Sequence, residues 1–326
     1  MPALYSAVGL GYNRSIKPDV LLPGGRVLLQ RSPHPPPSID TVELHEAPTT
    51  ASGPGLRVAS PGPQGSLQST AYLYGTSNAT ALASRQADRI FDALDQLANT
   101  SPSNEFPFPD EQYHPVLAKT LLVHAASWGQ RYSNLVDLLH PDQTLTRRTA
   151  SPLLGYGPID PERSVSARTN RALLLGANSI TAGQRHTFSF PLPPSLAATT
   201  DWRRLTISLA WLSPVNTRSR RHRLARLSFD PPCETVGAER VNADWQASRK
   251  GTLQHEILEG DAALAFAAGS ALVINVDCRI DGAADTPVRY GIAATLELGA
   301  TVQTDIHNEI RQQLQTRLRA AVAAQR

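Results

Sequence analysis

Gly75-Thr76-Ser77-Asn78-Ala79-Thr80-Ala81 is the stretch whose reading decides the fold. It sits where an extended segment enters a long amphipathic run. From Ala79 the apolar residues Leu82, Ala83, Ala87, Ile90, Phe91, Leu94, Leu97 and Ala98 recur at three- and four-residue spacing, which predicts a helix over 77–98. Ser77 therefore stands at a helix N-terminus. Free backbone N–H groups and the helix dipole favour negative charge there, and the same N–H groups can serve as oxyanion donors in acyl transfer. The bland reading is a helix cap, the commonest use of Ser or Thr at such a position.

Working outward, Val20-Leu21-Leu22 forms a short extended run that ends at Pro23-Gly24-Gly25. Residues 31–68, rich in Pro, Ser, Gly and Thr, exclude any helix of length and read as an exposed insertion. Downstream, Pro115 opens a second predicted helix to about Ala126, and Gly155-Tyr156-Gly157 turns into a short helix over 161–168. Beyond residue 170 the period becomes two. Leu205, Ile207, Leu209 and Trp211 alternate with Thr206, Ser208 and Ala210. Two further faces are Leu272, Ile274, Val276, Cys278 and Ile280, and Tyr290, Ile292, Ala294, Leu296 and Leu298. This pattern predicts an antiparallel β-sandwich over 169–300. Ile306, Ile310, Leu314, Leu318 and Val322 mark an amphipathic helix within 301–326, read as an edge helix packed on its own domain, with partner docking as the rival reading.

Composition narrows the function classes. The net charge is +3 at pH 7 with a sequence pI near 9.0, too mild to make nucleic acid the default partner. The longest apolar stretch, Ala262 to Val276, is broken by Gly269, Ser270 and Asn275, so no membrane span is expected. The N-terminus has no basic segment followed by an apolar one, which points to a cytoplasmic protein. Cys233 and Cys278 are too few for a disulfide framework and read as buried free thiols. Arg218, Arg220, Arg221, His222, Arg223 and Arg226 read as a solvated hairpin loop rather than a nucleic-acid or acidic-partner site. The sequence carries no P-loop, dinucleotide fingerprint, His-Glu-x-x-His pair or Gly-x-Ser-x-Gly elbow. No metal or cofactor is expected.

Four elements together resemble the subtilases, the subtilisin-like serine peptidases. Gly75-Thr76-Ser77-Asn78-Ala79 is similar to the family's Gly-Thr-Ser-x-Ala around the nucleophile. Lys17-Pro18-Asp19-Val20-Leu21-Leu22-Pro23-Gly24 resembles its Lys-Pro-Asp-Val strand and Pro-Gly turn. Pro115 to Leu122 resembles the following helix, and Gly155-Tyr156-Gly157-Pro158-Ile159-Asp160 the closing Gly-x-Gly element. The family usually has Pro where this chain has Ala81, and its connector to the serine is shorter. The resemblance implies an α/β fold in which residues 1–168 are the C-terminal half of a parallel-sheet catalytic domain. It makes Ser77 the nucleophile, with its own N–H as an oxyanion donor, and implies a polypeptide substrate.

In subtilases an Asp-Ser/Thr-Gly motif and a His-Gly-Thr motif precede the serine. Here no His is followed by Gly and no Asp by Ser-Gly or Thr-Gly. The family's oxyanion Asn has no counterpart either, since Asn13 sits in the wrong motif. A serine of ordinary pKa needs an adjacent base. The expectation is a subtilase C-terminal portion, inactive alone, with Met1 an internal methionine, a misplaced start or the product of a split gene. The rival is a degenerate remnant acting as a binding or regulatory module. His124, among Leu121, Leu122 and Ala125, reads as a core or boundary histidine rather than a base. The β-rich segment is similar to jelly-roll-like domains attached to subtilases. With Arg249 to Glu256 and the closing helix it also resembles the tail of bacterial intracellular subtilases that work beside an AAA-type ATPase, a second possible partner.

Overall fold

The computed structural model describes residues 3–32, 42–46, 53–100, 108–139, 143–165, 168–197, 200–218, 222–233, 238–241, 245–260, 269–280, 286–299 and 304–314. Among them are helices and antiparallel sheets in a mixed α/β arrangement. Four short strands come first: β1 (Leu29–Arg31) pairs with β2 (Leu44–Glu46), and β3 (Leu56–Ala59) with β4 (Thr70–Leu73). The described part of the Pro-rich stretch holds short strands and one three-residue 3-10 turn, Pro63–Gly65, and no α-helix. Then come α1 (Thr76–Thr100), α2 (His114–His124), α3 (Gln130–Leu139), α4 (Gln143–Leu154) and α5 (Pro161–Val165).

The period-two stretches become two sheets. β5 (Arg171–Ile180), β12 (Val288–Leu298), β7 (Arg203–Trp211), β10 (Leu253–Gly260) and β9 (Glu239–Arg240) form one, in that order. β6 (Arg185–Pro191), β11 (Ala271–Ile280) and β8 (Ala225–Phe229) form the other. All neighbours run antiparallel. Leu205, Ile207, Leu209 and Trp211 share one core with Leu272, Ile274, Val276, Tyr290, Ile292 and Leu296, the faces that the alternation marks. Ile306 and Ile310 of a helix over 306–314 close this core, with Glu309 accepting the Ser195 hydroxyl at 2.8 Å. The described part of the terminal helix therefore packs on its own sheets, and residues 315–326 lie outside the described residues. Neither Cys233 nor Cys278 is in a disulfide; Cys278 is buried and Cys233 partly so, and burial pushes the Cys278 thiol up to about 11.

The other face of the five-stranded sheet is buried as well. α2 lies across β7 and β12, and Ser208 and Ala210 are fully covered. Small residues permit this approach. A Cβ on Gly291 would stand 2.9 Å from Thr120 Oγ1, and that hydroxyl donates to Gly291 O at 3.2 Å. Above α2, Ile90 and Leu94 of α1 pack on Leu117, Ala118 and Leu121. The core of α1 is narrower than its apolar stripe: Phe91 and Leu97 are exposed, while Gln86 is buried and donates to Pro161 O at 3.0 Å. The result is three layers, helices on sheet on sheet.

Parallel pairing among the described residues is confined to one bridge, Leu21 to Pro158. Leu21 N–H donates to Gly157 O at 2.9 Å, and Ile159 N–H to Leu21 O at 3.2 Å. Pro18, Pro23 and Pro158 lack the N–H groups that would extend the ladder. The Gly155-Tyr156-Gly157 element threads beside this bridge. A Cβ on Gly155 would fall 1.9 Å from Pro18 O, in a backbone with φ of +59°, so only glycine fits. No helix among the described residues is long and apolar enough to cross a membrane.

Candidate active site

β4 delivers the chain to Tyr74 and Gly75, and α1 begins at Thr76. The turn is sewn to Pro23-Gly24-Gly25. Gly75 N–H donates to Gly24 O at 2.8 Å, and the Asn78 side-chain amide donates to Gly24 O at 3.3 Å and Leu73 O at 3.1 Å. Tyr5 braces the same turn from outside, donating to Gly25 O at 2.7 Å and stacking on Tyr74. A Cβ on Gly24 would stand 2.5 Å from Tyr5 Oη and 2.9 Å from Gly75 O. The glycine of the Pro-Gly turn and the serine turn therefore belong to one structure, though 51 positions separate Gly24 from Gly75.

Ser77 is exposed on the first turn of a 25-residue helix. Its hydroxyl has no hydrogen-bond partner among the described residues. The N–H groups of Thr76 and Ser77 have no intrahelical acceptor, as at every helix start. An exposed hydroxyl beside free donors is what acylation needs. Among the described residues no base is bonded to it.

Seven of the nine histidines fall among the described residues, and none is bonded to Ser77; His34 and His140 lie outside them. His114 Nδ1 meets Asp95 Oδ1 at 3.2 Å, and its Nε2 is buried without a partner. That pair resembles an oriented base, but Asp95 stands 18 positions along α1 from Ser77, about 27 Å of helix. His45 lies on β2 beside Glu46, whose carboxylate accepts the Tyr74 hydroxyl at 2.7 Å. Consecutive strand side chains point to opposite faces, so this contact turns His45 away from the serine turn. His186 bonds Tyr290 Oη at 2.8 Å, and His222 packs on Tyr12.

His124 is buried, and so is His255 of β10. His124 Nδ1 lies 2.8 Å from Ser208 Oγ and its Nε2 2.6 Å from Thr295 Oγ1. Ser208 Oγ also lies 2.7 Å from His255 Nδ1, while His255 Nε2 reaches Ala126 O at 3.1 Å. Both nitrogens of each ring are taken by these partners, none of which is Ser77. Burial lowers both, His124 well below the ordinary 6.5 and His255 to about 3. Lys119 is similarly spent: its ammonium donates to Thr252 Oγ1 at 2.7 Å, Thr252 O at 3.0 Å and Trp211 O at 3.4 Å. Burial lowers it to about 8 against the opposing pull of Asp19.

The basic hairpin is a turn closed by the Val215–Arg223 bridge. Arg223 stands over the Tyr12 ring at 5.6 Å, and residues 219–221 lie outside the described ones. Among the described residues no group of three or more His, Cys, Asp or Glu side chains could hold a metal ion.

Comparison with known proteins bears on the serine turn. Residues 1–157 match the model of the subtilase family, Peptidase S8. This part of the chain is subtilase-like. The matched region takes in the Pro-Gly turn, the Ser77 turn, α1, α2 and the Gly155-Tyr156-Gly157 element, all joined by the contacts above. No curated protein matches the chain. Among solved structures a chain of the "Cyanophage Pam1 capsid asymmetric unit" is similar at 11% identity and a TM-score of 0.22, over 40% of this chain and 82% of that one. A likeness of that size carries no argument.

Proposed function

We propose that the chain is the nucleophile-bearing portion of a subtilase-type serine endopeptidase, with Ser77 as the acylated residue. The observation that supports this reading is the exposed Ser77 hydroxyl at the start of α1, held by Gly24 and Asn78, within the subtilase match. In the reaction Ser77 Oγ attacks the carbonyl carbon of a peptide bond while its proton passes to an imidazole. That proton then goes to the leaving amine, and water hydrolyses the acyl-serine. The Ser77 N–H donates to the developing oxyanion. The imidazole and its orienting carboxylate come from outside residues 1–326, on a polypeptide carrying His-Gly-Thr and Asp-Thr-Gly motifs. Residues 1–168 act as the C-terminal half of a parallel-sheet catalytic domain, and 169–300 as a jelly-roll-like sandwich. An AAA-type ATPase is a second candidate partner, and the setting is cytoplasmic.

The second reading, a remnant that binds or regulates without hydrolysis, is favoured by the lack of any histidine bonded to Ser77 among the described residues. Fluorophosphonate labelling followed by intact-mass measurement separates the two. The lone chain is expected to label slowly or not at all. Labelling that appears on mixing with the polypeptide carrying the two motifs supports the peptidase, and continued silence supports the remnant. Rapid labelling of Ser77 in the lone chain contradicts the incomplete triad.

A further inference from the structure

The contact between α2 and the five-stranded sheet has hydrogen bonds of determinate direction. Ala126 O can only accept, so His255 Nε2 carries a proton and donates to it. A neutral His255 then has a bare Nδ1, which must accept the Ser208 hydroxyl at 2.7 Å. Ser208 Oγ, having given its own proton, accepts from His124 Nδ1 at 2.8 Å. His124 Nε2 is then bare and accepts the Thr295 hydroxyl at 2.6 Å. One carbonyl thus fixes four protons in a row, and the two imidazoles take opposite tautomers. The chain runs from β12 through α2, β7 and β10 back to the residue two beyond the end of α2.

We propose that this Thr295–His124–Ser208–His255–Ala126 chain is an acid-sensitive latch between the helical layer and the sheet, closed while both imidazoles are neutral and opened by their protonation. A proton on His255 Nδ1 would take away the Ser208 hydroxyl's acceptor, so His124 would have to shift its own proton to Nε2 to accept in its place. A proton on His124 would reverse the Thr295 bond inside a buried seam. The surrounding charges oppose both. Arg163 of α5, Arg171 of β5 and Arg204 of β7 all disfavour a charged His124. Glu297 of β12 pairs with Arg163, and Glu259 of β10 with Arg204 at 3.3 Å, so both carboxylates are already committed. Asp160, preceding α5, acts on Arg171. Glu256 of β10 is held by Arg240 at 2.8 Å, and the Lys119 ammonium of α2 is given to Thr252 and Trp211. The Tyr156 ring edges His255 at 5.4 Å, with its hydroxyl given to Leu253 O.

Burial lowers the proton affinity of the folded rings, so the unfolded chain binds protons first as pH falls. The stability that neutral rings confer is fully present above 6.5, the ordinary value, and declines below it down to about 3 for His255. The latch does not depend on the role of Ser77. Imidazole 15N spectra of the full chain at pH 7.5 test its closed form: His124 should carry its proton on Nδ1 and His255 on Nε2, both neutral. Matching tautomers, or a charged ring at that pH, overturn the proposal. Native-state hydrogen exchange at pH 7.5 and 5.0, corrected for intrinsic rates, tests its opening. The α2 amides should lose at least tenfold protection at the lower pH while β6, β11 and β8 keep theirs. Equal loss in both layers, or none in α2, overturns it. In His255→Gln, urea unfolding should take up one proton fewer between pH 6 and 4 than the unaltered chain, and an unchanged uptake counts against the latch. If that variant does not fold, the spectra and exchange of the unaltered chain decide alone.

Discussion

Ser77 and Ser208 are opposites. Ser77 lies open to solvent at a helix start, with free N–H donors beside it and no imidazole bonded to it among the described residues. Ser208 lies between two imidazoles at 2.8 and 2.7 Å, with no exposed surface at all. Acyl transfer needs both access and a base, and among the described residues the two requirements stand in different places. A serine–histidine contact is therefore no sign of catalysis in itself, and a catalytic motif is no complete site. What separates them is burial. A hydroxyl inside a seam is worth most as a structural link, because any stranded partner pays for desolvation.

The largest expected effect breaks the buried side of this contrast. Ser208→Ala strands the His124 Nδ1 proton and the His255 Nδ1 lone pair in a buried layer. At about 1–3 kcal/mol for each stranded group, the loss should be about 2–6 kcal/mol in urea unfolding at pH 7.5. A loss below about 1 kcal/mol would mean that water enters the seam and the rings are solvated.

Gly24→Ala acts on the exposed side. The new Cβ meets Tyr5 Oη at 2.5 Å and Gly75 O at 2.9 Å. Tyr5 can swing away, but the Gly75 carbonyl belongs to the turn that starts α1. The expected cost is about 1–3 kcal/mol, read as a lower melting temperature. An unchanged melting temperature would show that the Pro-Gly turn does not fix the serine turn.

The two serines also differ in how far the sequence reveals them. The Ser77 turn is legible because its parts are contiguous: a Gly, a Ser and an apolar stripe at helical spacing. The predicted helix over 77–98 and the observed Thr76–Thr100 differ only at the ends. The inward faces of β7, β11 and β12 are legible for the same reason, as alternation is local. Residues of the latch are 84 and 47 positions apart, and only the fold joins them. A faint signal was present, since Ser208, Ala210, Gly291 and Ala293 are small enough to admit a helix on the second face. α3 and α4 are not legible in the local pattern: α4 carries Pro152 within its span, which argues locally against helix. Phe91 and Leu97 belong to the stripe of α1 yet stay exposed, because apolar spacing gives a face but not its width.

The smallest effect is the most informative about Ser77. Its hydroxyl is exposed and has no partner among the described residues, and the helix start is secured instead by Asn78 and by Gly75 bonding to Gly24. Ser77→Ala should therefore change unfolding stability by no more than about 0.5 kcal/mol, the usual range for surface substitutions away from special features. Alanine is also the better helix former, which pushes any residual change toward stabilisation. A loss above about 1 kcal/mol would show the hydroxyl capping the helix, the ordinary work of serine at such a place. In that event the free hydroxyl on which acylation depends does not exist in the lone chain. A neutral result leaves Ser77 with no structural employment, in contrast to Ser208, and its fluorophosphonate adduct becomes the decisive measurement.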